Sequence, residues 1–284
     1  MKNKRYAALV MAAILAASAA MPTMAEVVID GTNVASGTTV DSVNVSNGEA
    51  DAAVSVSDGD SVSVKGDVDA TATERVGVSA DNGKAEIGGN VKTEDIAIDA
   101  ENKSDVSVEG NVEGDRGIWA DDSKVSVGGN VSGKDNPGIE AMDGATVDVG
   151  GNVTSKENAG VEAGKTNSAT DETGATKVTV KGDVVSDEGI GIDVSNDSIV
   201  EVGGNVSGKE GGVKAIGSSE NPDAGKKEEI AKVTVGGNVS AEGTGVYAEN
   251  ADVIVGANVK STESTAVDAW NANVSVDGVI LEAL

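Results

Sequence analysis

Apolar and polar residues alternate along this chain in short runs, which are bounded by glycine and asparagine. The clearest run is Val125-Ser126-Val127-Gly128-Gly129-Asn130-Val131, and edited copies of it recur from about residue 62 to the end. Alternation with a period of two predicts a β-strand with one buried face, and glycine and asparagine mark bends. Each copy is therefore expected to contribute one strand and one bend.

The copies recur at a nearly constant interval. Successive Gly-Asn or Gly-Asp pairs are mostly 19 to 23 residues apart, with two longer steps of 31 and 33 residues. Most intervals also contain a Gly-Val-x-Ala phrase, such as Gly117-Ile118-Trp119-Ala120, and a short piece after the asparagine, such as Val131-Ser132. Three short strands and three bends in about 21 residues predict one coil of a solenoid.

These features predict an all-β fold, a single-stranded right-handed parallel β-helix of roughly 10–12 coils with about 21 residues per coil. The right-handed winding is expected because crossovers between parallel strands are almost always right-handed. Stacked coils spaced by about 4.8 Å would give a rod roughly 50–60 Å long. We expect no helix after the leader.

The first 25 residues resemble a signal peptide. Lys2, Lys4 and Arg5 precede the apolar run 7–20, and Thr23-Met24-Ala25 offers small residues for cleavage after Ala25, with cleavage after Ala20 as the alternative. Residues 26–284 would form the solenoid, with irregular first coils at 26–60 and insertions near 164–176 and 217–231. The mature chain, which has no segment long and apolar enough for a membrane span, is expected to be exported, to the extracellular space or the cell surface.

Composition narrows the function classes. The chain has 48 acidic and 21 basic residues, a formal net charge of −27 and neither His nor Cys. The acidity argues against nucleic acid as a partner. The absence of His and Cys removes the commonest general base, zinc ligands and thiol chemistry. We expect no enzyme, although a polysaccharide lyase or hydrolase is the one enzyme class left open, and no cofactor, with Ca²⁺ the one possible exception.

The recurring asparagines are expected to stack at one bend. Each side-chain amide could then bond its neighbour and the backbone, forming a structural ladder, although a polar binding site is the alternative. The ladder residues are Asn90, Asn111, Asn130, Asn152, Asn205, Asn238 and Asn258.

The Gly-Val-x-Ala phrase predicts a more distinctive face. Its Val and Ala should point inward, while the intervening and following residues point outward. The outward set contains every aromatic residue of the mature chain and many acids. A solvated acidic face is the simpler interpretation, and a ligand face is the alternative. The candidate ligand residues are Trp119, Tyr247, Trp270, Asp99, Glu101, Asp121, Glu140 and Glu162.

The Val-x-Val-Gly-Gly-Asn-Val coils, the leader and the acidity together resemble bacterial surface β-helix proteins of the adhesin or autotransporter-passenger type, with a pectin-lyase-like architecture. The resemblance covers roughly residues 60–280 and implies a role in surface contact, without transferring any catalytic or binding residue. The leading expectation is a non-enzymatic surface structural or adhesion protein. The alternative is a secreted carbohydrate-binding or polysaccharide-active β-helix protein. Expected partners are host or cell-wall glycans or surface proteins, and head-to-tail self-association is a further option.

Overall fold

The computed structural model describes residues 27–29, 32–45, 51–72, 75–164, 174–218 and 229–283. It is an all-β, right-handed parallel solenoid of about 10 turns, with roughly 22 residues per coil. The predicted fold class is therefore confirmed. The predicted signal peptide and most of both predicted insertions lie outside the described residues. No helix of the described chain has the length and apolar content of a membrane span.

Three sheets form the walls of the solenoid, and each coil supplies one strand to each sheet in turn. Sheet A, which collects the Gly-Val-x-Ala phrases, has 12 strands. Its strands, in spatial order, are β2 (Thr32–Val34), β1 (Val27–Ile29), β5 (Ala52–Ser57), β8 (Val76–Asp81), β11 (Ile96–Glu101), β14 (Arg116–Asp121), β17 (Ile139–Met142), β20 (Val161–Gly164), β23 (Ile190–Ser195), β26 (Gly211–Ile216), β29 (Thr244–Glu249) and β32 (Val267–Trp270).

Sheet B follows sheet A in each coil and collects the Val-x-Val runs. Its 11 strands are β3 (Thr38–Val40), β6 (Ser61–Val64), β9 (Lys84–Ile87), β12 (Asp105–Val108), β15 (Lys124–Val127), β18 (Thr146–Val149), β21 (Lys177–Val180), β24 (Ile199–Val202), β27 (Ala231–Val235), β30 (Ala251–Val255) and β33 (Asn273–Val276).

Sheet C begins just after each ladder asparagine. Its 11 strands are β4 (Val43–Asn44), β7 (Val68–Asp69), β10 (Val91–Lys92), β13 (Val112–Gly114), β16 (Val131–Gly133), β19 (Val153–Ser155), β22 (Val184–Ser186), β25 (Val206–Gly208), β28 (Val239–Ala241), β31 (Val259–Ser261) and β34 (Ile280–Leu281).

The first strands depart from parallel stacking. Strand β1 pairs antiparallel with both β2 and β5. From β5 onward the pairing within sheet A is parallel, as in β5 with β8. Strands β1 and β2 therefore add two antiparallel strands to one end of sheet A.

The core is one continuous column of small side chains. It contains valine, alanine and isoleucine from all three sheets, most of them less than 3% exposed. β-Branched residues fit this setting because their side chains pack well on a pleated surface. The thin core explains why a chain almost without aromatic residues can still bury a continuous apolar interior.

The glycine of the Gly-Val-x-Ala phrase lies where the chain turns from sheet C into sheet A. A Cβ atom on Gly117 would lie 2.3 Å from the Gly138 carbonyl oxygen and 2.5 Å from Val131 Cγ1. The same close approach to a sheet C valine occurs at Gly138, Gly160, Gly191, Gly212 and Gly245. Glycine recurs here because a side chain would meet the backbone of the next coil and the core valine of sheet C.

Candidate functional site

The outward face of sheet A consists of two columns of side chains that run along the rod. The pairing register stacks the equivalent residues of successive coils. We call them the first column (Ser79, Asp99, Trp119, Glu140, Glu162, Asp193, Lys214, Tyr247 and Asp268) and the second column (Asp81, Glu101, Asp121, Met142, Gly164, Ser195, Ile216, Glu249 and Trp270). All except Gly164 are half-buried or exposed.

Trp119 lies against an arginine. The Arg116 guanidinium is 5.1 Å from the centre of the Trp119 ring, and its Nη2 lies 3.0 Å from Glu140 Oε2. The Arg116 and Glu140 side chains are only 22% and 14% exposed. A cation over an aromatic face is attracted by the ring quadrupole. One face of Trp119 is therefore already occupied by a residue of the same strand.

Sequence reasoning did not include Arg116 among the candidate site residues. Its signal was present, because Arg75 and Arg116 are the only arginines after residue 25 and Arg116 stands three residues before Trp119. Arg116 and Glu140 belong to adjacent coils, and only the pairing register of β14 and β17 shows that they lie close together.

Asp99 is the acid of this face whose pKa is shifted furthest from its ordinary value. Burial, followed by the nearby charge of Glu101, raises its pKa to about 6, against the opposing attraction of Arg116. Smaller repulsions come from Asp81 and Asp95. Its Oδ1 atom is buried and accepts no hydrogen bond from any described residue. Burying a carboxylate without partners disfavours its charged form.

The pKa of Asp99 predicts that the stability of the rod depends on pH. Because the folded state holds this proton more tightly than the unfolded chain, the free energy of unfolding should fall as pH rises from about 4 to above 6. Asp99→Asn should raise the melting temperature at pH 7 and reduce the difference between pH 5 and pH 7. Thermal melts at both pH values, with Asp148→Asn on sheet B as the matched loss of one charge, check this. An equal gain in the two variants would contradict the assignment to Asp99.

Two glutamates continue the first column in the middle of the rod. Burial is the main cause that raises the pKa of both Glu140 and Glu162. Glu162 is also repelled by Asp193, whose Oδ2 lies 2.8 Å from Lys214 Nζ. Glu162 thus lies between two ion pairs, Arg116 with Glu140 and Lys214 with Asp193.

The other predicted residues fall into separate places. Glu101 and Asp121 lie in the second column beside Asp99 and Trp119, and burial followed by repulsion from Asp143 raises the pKa of Asp121. Tyr247 and Trp270 lie five and six coils further along, about 24 Å and about 29 Å from Trp119. The structure therefore divides the predicted ligand face into two groups.

The asparagines form a continuous row of hydrogen bonds at the bend between sheets B and C. In each coil the backbone N–H donates to the side-chain Oδ1 of the preceding coil, over 2.6–3.1 Å. Asp67 and Asp183 take the same place in their coils, and the row ends where Val279 donates to Asn258. The ladder satisfies backbone donors at a bend, which is a structural use of these side chains.

A second row of Asn and Asp residues, at the bend from sheet A to sheet B, was not predicted. These residues adopt left-handed backbone conformations, with φ between 42° and 55°. Asn and Asp tolerate this conformation better than most residues. The signal was an Asn or Asp two residues after the alanine of the Gly-Val-x-Ala phrase. The row comprises Asn82, Asn102, Asp122, Asp143, Asn196, Asn250 and Asn271.

The described residues contain no group of three or more acidic side chains arranged to hold a metal ion. Binding of Ca²⁺, which the sequence left open, stays a prediction based on the acidity of the chain. The cores of the two insertions, residues 165–173 and 219–228, lie between sheet A and sheet B strands and outside the described residues.

Comparison with known proteins gave no match: no family model, no curated protein and no solved structure matches this chain.

Proposed function

We propose that this chain is a non-enzymatic, exported bacterial rod of the adhesin or autotransporter-passenger type, with a surface structural or adhesion role. The outward face of sheet A is its contact surface, and the partners are glycans or surface proteins. One observation carries the proposal: all three aromatic residues outside the leader lie on this single face of a regular rod.

The contrast between faces supports this choice. The first and second columns of sheet A combine aromatic rings with half-buried acids. The outward positions of the described sheet B strands instead carry no aromatic ring: they hold mostly serine, threonine and acids, with the exposed Ile254 in β30 and, from β9 to β27, a lysine in every second coil at the first outward position. These are Lys84, Lys124, Lys177 and Lys232. Tyrosine and tryptophan supply large contact areas at low entropic cost, which is why interfaces are rich in them.

Adhesion of beads coated with the purified rod tests the proposal. A triple variant, Trp119→Ser, Tyr247→Ser and Trp270→Ser, removes the aromatic side chains of sheet A. The matched control places serine at outward positions of sheet B, through Thr179→Ser, Thr234→Ser and Ile254→Ser. Beads with the sheet A variant should lose most binding to bacterial or host cells, while the control beads should keep it. Equal adhesion of the two variants would reject sheet A as the contact surface.

A secreted carbohydrate-binding role is the second candidate, and the proximity of Tyr247 to Trp270 favours it. A glycan array with Trp119→Ala and Trp270→Ala separates the two candidates. Because Arg116 covers one face of Trp119, glycan binding should depend on Trp270 more than on Trp119. Binding that neither substitution changes would count against a role for these rings.

A further inference from the structure

One end of the sheet A face brings two aromatic rings and two carboxylates together. Tyr247 pairs with Asp268, and Glu249 pairs with Trp270, in the register of β29 and β32. Tyr247 and Trp270 are therefore diagonal neighbours on adjacent strands. Their Cα atoms are about 7–8 Å apart, a distance that aromatic side chains span. Trp270 is 67% exposed, and the Tyr247 hydroxyl donates to Glu249 Oε2 over 2.9 Å.

The same face shows what such a group can hold. At Trp119, the ring faces the cation of Arg116, and that cation also contacts the carboxylate of Glu140. Arg116 opens strand β14, three residues before the aromatic ring. The equivalent residue before Tyr247 is Thr244, which opens β29 and carries no charge. Among the described residues, the Tyr247 coil therefore has the ring and the acids without a cation at the position that Arg116 holds in its own coil.

Lys214, which pairs with Tyr247 in the neighbouring strand, does not take the role that Arg116 has beside Trp119. Lys214 pairs with Tyr247 between β26 and β29. Its Nζ lies 2.8 Å from Asp193 Oδ2, and Asp193 belongs to the strand on the opposite side of β26. Lys214 is thus held away from Tyr247, whose pKa is raised chiefly by its hydrogen bond to Glu249.

We propose that Tyr247, Trp270, Glu249 and Asp268 bind a quaternary ammonium group of the choline type. The proposal rests on the role of the sheet A face as a contact surface and names the chemistry that this end of it recognises. Tyrosine and tryptophan rings attract such cations through their faces, and nearby carboxylates add to the attraction. The net charge of −27 also raises the local concentration of cations.

A quaternary ammonium fits better than a primary one. A primary ammonium is strongly hydrated and needs several acceptors in place of water. Glu249 already accepts a hydrogen bond from Tyr247, which leaves fewer acceptors at this exposed place. A quaternary ammonium has no N–H groups, so it requires rings and negative charge rather than hydrogen bonds.

The chain has only two tryptophans, which makes the test direct. In Trp119→Phe, the fluorescence reports on Trp270 alone. Titration with choline should give a saturable change, while the neutral isostere 3,3-dimethyl-1-butanol should bind at least about fivefold more weakly, because it lacks the charge. Because Trp270→Ala removes the fluorescent reporter, choline binding to this variant is followed by the NMR signals of the choline methyl groups. The affinity for choline should fall at least about fivefold in Trp270→Ala and in Tyr247→Ala. Glu249→Gln and Asp268→Asn should each reduce affinity.

Trp119→Ala is the matched control. It removes the aromatic ring that Arg116 already covers, so choline binding should be unchanged, and circular dichroism should show that every variant is folded. Choline and phosphocholine are titrated separately. If choline and phosphocholine both bind, the site accepts a phosphocholine headgroup as well as the free cation. If choline alone binds, the site accepts only the free cation. Either result supports the proposal.

Three results would overturn it: no saturable choline binding, equal binding of the neutral isostere, or equal loss in Trp119→Ala and Trp270→Ala. Bead adhesion is measured on the same preparations. Adhesion that depends on sheet A without choline binding rejects this inference alone. Choline binding without such adhesion rejects the proposed function and leaves the cation site.

Discussion

Gly117→Val should reduce the free energy of unfolding by at least about 3 kcal/mol, because added core volume with no space to relax is costly. The first atom of the new side chain would meet the Gly138 carbonyl oxygen at 2.3 Å and Val131 Cγ1 at 2.5 Å. Backbone and a core valine are the obstacles, and neither is the free end of a flexible side chain. Chemical denaturation followed by circular dichroism measures the effect.

Valine is a sharper test than alanine at this position. Ala97 stands at the equivalent position one coil earlier and is fully buried, so one methyl group fits where the coil is built around it. Gly174→Val is the matched control, since a Cβ at Gly174 meets nothing within 4 Å. The control should change stability by less than about 0.5 kcal/mol. A Gly117→Val chain as stable as the control would show that this bend has room for a side chain.

Asn130→Ala should cost about 1–2 kcal/mol, because it leaves the Asn152 backbone N–H without its acceptor. That N–H donates to Asn130 Oδ1 over 2.8 Å, and Asn130 Nδ2 also donates to Asn111 Oδ1 over 3.2 Å. Asn130→Asp should cost less, since it keeps the acceptor oxygen, as Asp183 does where it accepts from the Asn205 backbone. Denaturant midpoints of the three chains measure the order.

Thr154→Ala provides the control for the ladder. Its hydroxyl donates an exposed hydrogen bond of 3.1 Å to Ser132, which is its pairing partner in the preceding coil of sheet C. Its loss should change stability by less than about 0.5 kcal/mol. If Asn130→Ala and Thr154→Ala cost the same, the ladder would be a surface feature rather than part of the backbone pairing.

The fold was predictable because the repeat expresses the same physical pattern in every coil. Val125 and Val127 point inward from β15, Gly128 and Gly129 form the bend, and Val131 begins β16. The same residue types recur at these positions in the other coils, so the repeat predicts the fold far more strongly than a single strand would. The antiparallel pairing of β1 was not evident, since Val27–Ile29 has the same composition as a parallel strand.

The candidate site was predictable only in part. Period-two alternation places Trp119, Tyr247 and Trp270 on one face, because alternate side chains of a strand point to the same side. Alternation does not give the neighbours of each residue. The contact of Arg116 with Trp119 and Glu140 depends on side-chain directions across adjacent strands, and the half-burial of Asp99 depends on every group around it.

By itself, the sequence determined the solenoid, the number of residues per coil, the bend that carries Asn130 and the face that carries the aromatic residues. These are periodic properties, and a period can be read along one chain. Tertiary structure alone decided that Trp119 already contacts a cation, whereas Tyr247 and Trp270 lie together with no such contact from the residues that the structure describes. The reason is physical: these differences depend on distances between coils about 20 residues apart, which stacking sets and composition does not.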